Sequence, residues 1–211
     1  MKTPTQRPAD ILGLTLAMSG NAVSRVFPLF GEGIWVQGSD GETVEDFLVK
    51  TVGIPPAYLK ERVQTVFLNG KALDDFNTAR VRDGATLALS AAMPGLAGAV
   101  LRRGGVYAPM RRQISQDATS STASAGHIFI TLKLFNMIAS ELGPEFLKRG
   151  ILIPGVRLRD FVERQGRWAW DGCRSATADE QPIAVNQIVE LLTKRRWVRL
   201  SIQASDERTG I

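Results

Sequence analysis

The spacing of apolar residues predicts a strand at Gly33-Ile34-Trp35-Val36-Gln37, closed by turn chemistry in Gly38-Ser39-Asp40-Gly41. Thr43 then offers an N-cap hydroxyl with Asp46 three residues on. Val44, Phe47 and Leu48 recur at i, i+3 and i+4, the mark of a helix with one buried face. That helix should end near Gly53, because Pro55-Pro56 disfavours its continuation. Val63 to Leu68 is apolar and β-branched, and Asn69-Gly70 tolerates positive φ at both turn positions, so a strand reverses there. Asp83-Gly84 marks a second turn, and Thr86-Leu87-Ala88-Leu89-Ser90 alternates so that Leu87 and Leu89 share one face. Pro94 and the glycines between Ala91 and Gly98 end regular pairing.

In the second half, His127 to Phe135 reads as a strand, Asn136 to Lys148 as a helix around Gly143-Pro144, and Gly150 to Gly155 as a short strand bounded by turn residues. Ile183 to Leu192 reads as a helix and Trp197 to Ile202 as a closing strand. Gly155-Val156-Arg157-Leu158-Arg159-Asp160-Phe161-Val162 repeats the spacing of Gly41 to Leu48. Leu158 matches Val44 and Asp160-Phe161 matches Asp46-Phe47, which suggests an internal duplication. Gln113 to Gly126 is built of short polar and small residues that cannot offset the entropy of ordering, so it reads as a linker. The chain is therefore divided into residues 1–112, a linker over 113–126, and a second domain over 127–211. Ile11 to Met18 is apolar, but Pro8 and Asp10 make it a poor export signal. With no uninterrupted apolar run of about 18 residues, the expectation is a soluble, cytoplasmic protein without a membrane partner.

Composition narrows the chemistry. One cysteine and one histidine among 211 residues exclude an internal disulfide framework and a Cys/His zinc finger, and no cofactor is expected. His127 opens an apolar run and reads as structural, while Cys173 has only Arg174 beside it to favour a thiolate. The acid pairs Asp74-Asp75 and Asp179-Glu180 read as solvated turns. A P-loop, a dinucleotide fingerprint and a nucleophile elbow are all absent from the sequence, so a non-catalytic role is expected. Residues 1–105 carry 11 Lys/Arg against 10 Asp/Glu, and residues 106–211 carry 15 against 11, so most of the net charge of +5 belongs to the second half. No acid lies between Asp83 and Asp117, a stretch that holds Arg102, Arg103, Arg111 and Arg112. Such a segment attracts an acidic partner.

Gly41-Glu42-Thr43-Val44-Glu45-Asp46-Phe47-Leu48, Leu68-Asn69-Gly70-Lys71 and Arg82-Asp83-Gly84-Ala85-Thr86-Leu87-Ala88-Leu89, taken in order, resemble the β-grasp (ubiquitin-like) superfamily. The likeness is to its sulfur-carrier branch, which includes the molybdopterin-synthase small subunit and the thiamine sulfur carrier. The resemblance implies an α+β chain with a β-grasp domain first and a second small α+β domain after it, which the internal echo suggests is also β-grasp. It also implies a diglycine tail, activated by an adenylyltransferase, for which Leu101-Arg102-Arg103-Gly104-Gly105 is the candidate. Residues without a Cβ let an extended backbone thread a narrow channel, and arginines before them can be read by acids. Because 106 residues follow Gly105, a processing peptidase would have to release it first. Gly210 holds the corresponding tail position of the second half.

Two roles remain open on the sequence. One is a ubiquitin-like or sulfur-carrier-like protein acting through its β-grasp surface and a processed tail. The other is an adaptor, never processed, that binds a protein or RNA through Arg102, Arg103, Arg111 and Arg112, with Tyr107 between them for stacking. Trp168 and Trp170, two apart, would share one face of an extended segment and offer a further partner surface.

Overall fold

The computed structural model describes residues 10–91, 95, 98, 101–102, 126–166, 170–194 and 196–205. The described chain opens with β1 (Ile11–Ser19), whose alternation puts Leu12, Leu14, Leu16 and Met18 inside. A 3-10 segment, Gly20–Val26, leads to α1 (Pro28–Glu32) and β2 (Ile34–Ser39). Next come α2 (Val44–Asp46), extended by a π-helical turn over Phe47–Thr51, then α3 (Pro56–Glu61), β3 (Thr65–Leu68), β4 (Lys71–Ala72) and β5 (Thr86–Ser90). The second half supplies β6 (His127–Phe135), α4 (Asn136–Arg149), β7 (Ile151–Pro154), α5 (Gly155–Gln165), β8 (Cys173–Ala178), β9 (Gln181–Ile183), α6 (Ile188–Lys194) and β10 (Trp197–Ser205). The fold is α+β. Among the described residues, no helix is long and apolar enough to cross a membrane.

The chain forms two compact units, Trp35–Ile138 and a second that joins Gln6–Ile34 to Ala139–Ile211. This division differs from the expected boundary at 113–126. The reason is strand pairing. β6, which follows that segment, lies parallel to β5, with Thr86 opposite Thr131 and Ser90 opposite Phe135. β1 lies parallel to β10, with Ile11 opposite Trp197.

In the first unit the strand order is β4-β3-β5-β6-β2. β3 is antiparallel both to β4 and to β5. Asn69 and Gly70 make the β3–β4 turn with φ of 52° and 80°, as their tolerance of left-handed backbone predicts. Thr43 caps α2 by accepting the Asp46 N–H at 3.0 Å. Val44, Phe47 and Leu48 are wholly buried, with Leu87, Leu89, Ile130 and Leu132 in the same core. Asp46 does not complete a capping box. Its carboxylate turns to Lys50, 2.8 Å away, and that hydrogen bond holds the acid below the ordinary aspartate range. Gly38, read from sequence as turn residue, is instead the fifth residue of β2, and it is buried. A Cβ at this position would sit 2.8 Å from the Phe47 ring, so the missing side chain is what lets the helix settle on the strand.

In the second unit the order is β7-β10-β1-β8-β9. β10 is antiparallel to β7, β1 to β8, and β8 to β9. Its core joins Leu12, Leu14, Leu16 and Met18 to Trp197, Val198, Leu200, Leu158, Phe161 and Ile188. Phe30 meets Phe146 edge to face at 6.2 Å. The helix expected from Ile183 begins later. Ile183 ends β9, Val185–Gln187 form a 3-10 turn, and α6 starts at Ile188.

Thr43→Ala removes the one side-chain cap of α2 and should lower stability by about 1 kcal/mol. The check is a lower urea midpoint at unchanged slope. Gly38→Ala, which in an open strand would be neutral or slightly stabilising, should cost about 1–3 kcal/mol here by forcing Phe47 off its rotamer. Equal melting of Gly38→Ala and the parent would show that the ring does not fill that space.

Candidate functional site

Of the candidate residues, Arg103, Gly104, Gly105, Arg111, Arg112, Trp168 and Gly210 lie outside the described residues, and Arg102 and Trp170 lie within them. Leu101 is helical, and the Arg102 N–H donates to the Gly98 carbonyl at 3.0 Å, four residues back. The backbone entering the Arg-Arg-Gly-Gly segment is therefore coiled, where a threaded tail calls for extended chain. The Arg102 residue itself is exposed.

Connectivity bears more heavily on that segment. β5 ends at Ser90 and β6 begins at His127, so Gly104-Gly105 belongs to the connection between two neighbouring parallel strands. Both strands are tied in place beyond their ladder. Asp83 accepts the Phe129 N–H at 2.9 Å with its carboxylate, and the Gly84 N–H donates to the Phe129 carbonyl at 2.9 Å. The Thr131 N–H donates to the Ala85 carbonyl at 2.9 Å. At the other end, Asn136 donates its side-chain amide to Ser90 Oγ at 3.1 Å. The Asp83-Gly84 turn thus docks β6 as well as starting β5.

Trp170 stands in a 3-10 turn, not in an extended segment, so the alternation argument pairing it with Trp168 does not apply there. It is half-buried and lines a cleft of about 780 Å³ in the second unit. α5 contributes Val162 and Glu163, with Gly166 just past its end. Val185 and Asn186 of the 3-10 turn, Val189 of α6, and Asp171 complete the wall. Arg25 pins the Trp170 turn by donating to the Asp171 carbonyl at 2.7 Å and pairing with its carboxylate at 2.8 Å. Ile188 and Leu192 of α6 point into the core, which leaves Val185 and Val189 half-buried along the cleft. Sequence spacing separates those two groups only once the helix start is placed at Ile188.

The remaining polar candidates have structural roles. Asp75 accepts the Asn77 N–H at 2.8 Å and the Thr78 hydroxyl at 3.0 Å, which closes its turn. Asp179 and Glu180 form the β8–β9 turn with φ of 46° and 68°. The Asp179 carboxylate accepts the Gly13 N–H at 2.8 Å while its own N–H donates to the Gly13 carbonyl at 2.7 Å. His127 opens the apolar run of β6 as its first residue, and it is exposed. Among the described residues, no group of three or more His, Cys, Asp or Glu is placed to hold a metal ion. Burial pushes the Cys173 thiol up, and a backbone hydrogen bond from Ser175 only partly offsets this.

Compared with family models, curated proteins and solved structures, the chain matches none.

The raised Cys173 pKa gives a direct prediction. Since only the thiolate attacks, iodoacetamide should label the folded protein more slowly than free cysteine at pH 7.5, with the rate rising at higher pH than for the free thiol. Labelling as fast as free cysteine would show an activated thiol.

Proposed function

We propose that the chain is a non-catalytic, ubiquitin-like adaptor that acts uncleaved and presents its arginine-bearing connection to an acidic protein. The β-grasp part of this reading is supported by a mixed sheet packed by a capped helix. It gains further support from the likeness of the two units. Each has a terminal antiparallel hairpin, then an antiparallel neighbour, then a central parallel pair, then one more strand. In each, a helix follows that last strand, α2 after β2 and α5 after β7. The matched positions Val44 and Leu158, Phe47 and Phe161, and Leu48 and Val162 are all buried. Both hairpin turns place two successive residues at positive φ, Asn69-Gly70 and Asp179-Glu180.

The observation that carries the adaptor reading is the parallel pairing of β5 with β6. Freeing the Gly105 carboxyl would sever the covalent link between two central strands, which a carrier with a terminal tail never has to do. Left whole, the connection holds Arg102, Arg103, Arg111 and Arg112 on a segment anchored at both ends, without an acid between Asp83 and Asp117.

Two measurements test this. Mass spectrometry of the protein from its native cell should find peptides that span Gly105-Val106 and no carboxyl terminus at Gly105. A fragment ending at Gly105 would return the processed-carrier reading. The full chain should bind poly-glutamate with a steep salt dependence, and changing Arg102 and Arg103 together to Ala should weaken binding several-fold and flatten that dependence, with melting unchanged. Tighter binding to single-stranded RNA at matched salt would move the partner to nucleic acid.

A further inference from the structure

In the second unit, β1 buries Leu12, Leu14, Leu16 and Met18 on one face, so Ile11, Gly13 and Thr15 share the other. Register sets Arg199 beside Gly13 and Ser201 beside Thr15 on the neighbouring β10. Together with the Asp179-Glu180 turn, these residues line a pocket of about 480 Å³, within the usual range for a small-molecule site, ~300–1,000 Å³.

Two residues of this pocket run against local preference. Gly13 stands in the middle of a strand paired on both sides, where a missing side chain weakens the sheet. Its backbone is not left-handed, and a Cβ there would meet nothing nearer than Asp179 Oδ1 at 3.4 Å. Neither conformation nor packing calls for glycine, and the absent side chain leaves an open floor to the pocket. Glu180 is the reverse case. At φ 68° it holds a left-handed turn position that glycine fills without strain, and among the described residues its carboxylate has no ion pair or hydrogen bond to offset this.

The pocket carries both signs of charge. Asp179 is engaged by the Gly13 N–H at 2.8 Å, which leaves Glu180 as the available acid. Arg199 is exposed and, among the described residues, makes no ion pair with Glu180 or any other acid. Arg199 Cγ and Ser201 Oγ lie 3.2 and 2.8 Å from the point where a Cβ on Gly150 would stand, so the guanidinium stem and the hydroxyl run side by side.

We propose that this pocket binds a free α-amino acid with an apolar side chain. Its carboxylate takes the Arg199 guanidinium and the Ser201 hydroxyl, its ammonium takes Glu180, and its Cα lies over Gly13. Charge-assisted hydrogen bonds at both ends fix its orientation. The side chain then covers Ile11, which is 36% exposed.

The test adds L-leucine, N-acetyl-leucine and leucinamide in turn to the full chain and follows the backbone N–H resonances of Gly13 and Thr15. Leucine should shift both saturably. N-acetyl-leucine lacks the cation and leucinamide the anion, so each should bind about 10-fold more weakly or worse. Arg199→Gln should equalise leucine and leucinamide, and Glu180→Gln should equalise leucine and N-acetyl-leucine. Gly13→Ala should melt no lower than the parent yet lose the leucine shift at Thr15. Absence of a saturable shift with leucine, equal affinity for leucine and either blocked analogue, or a lower melting temperature of Gly13→Ala would each overturn the proposal. The first two are read on the unaltered protein and do not depend on a variant folding.

Discussion

The parallel alignment of β5 with β6 is the constraint on which the first unit depends. Two strands running the same way cannot be joined by a tight turn, because the chain must return to its starting end before pairing again. Residues 91–126 make that return, and they include the diglycine that most resembles a conjugation tail. What the primary sequence presents as the end of a domain is, in three dimensions, the middle of one. Because 106 residues follow Gly105, its carboxyl is locked in a peptide bond, and the pairing of β5 with β6 sets that bond within the connection between them.

The second unit takes the same principle to greater sequence distance. Its central pair joins residues 11–19 to residues 197–205, near opposite ends of the sequence, so its loop-closure cost falls on folding rate more than on final stability. Both units bury a strand-following helix through residues at equivalent spacing. Their hairpins use different chemistry for the same left-handed turn. Asn69-Gly70 adopts it with little strain, whereas Asp179-Glu180 adopts it with two side chains, and Asp179 is tied to Gly13 through both its carboxylate and its backbone N–H.

Local elements were legible in the sequence where local physics decides them. Thr43 as a cap, the Val44-Phe47-Leu48 face, the Asn69-Gly70 turn and the Leu87/Leu89 alternation all follow from neighbours within a few residues, and each is found. Pairing partners were not legible, since nothing in Thr86–Ser90 names His127–Phe135 as its neighbour and the polar stretch between them reads as a domain boundary. Gly38 misled for a related reason. Glycine marks turns in isolation, and only the approach of the Phe47 ring explains one inside a strand. α3 passed unnoticed because Pro55-Pro56 reads as a helix stop, although Pro56 starts that helix at its first position, where a missing N–H costs nothing. The cleft at Trp170 was half visible. The tryptophan stood out, but its valine neighbours come from segments that only the fold brings together.

Residues 1–105 end before β6, the strand that pairs with β5 along its whole length. The most direct test is the amide spectrum of residues 1–105 expressed alone. Poor dispersion and no cooperative melting are expected, because Leu87 and Leu89 lose the strand beside them that carries Ile130, Leu132 and Leu134. A well-dispersed spectrum with a cooperative transition, unchanged on adding residues 106–211, would contradict it and restore a self-contained carrier domain ending in Gly104-Gly105.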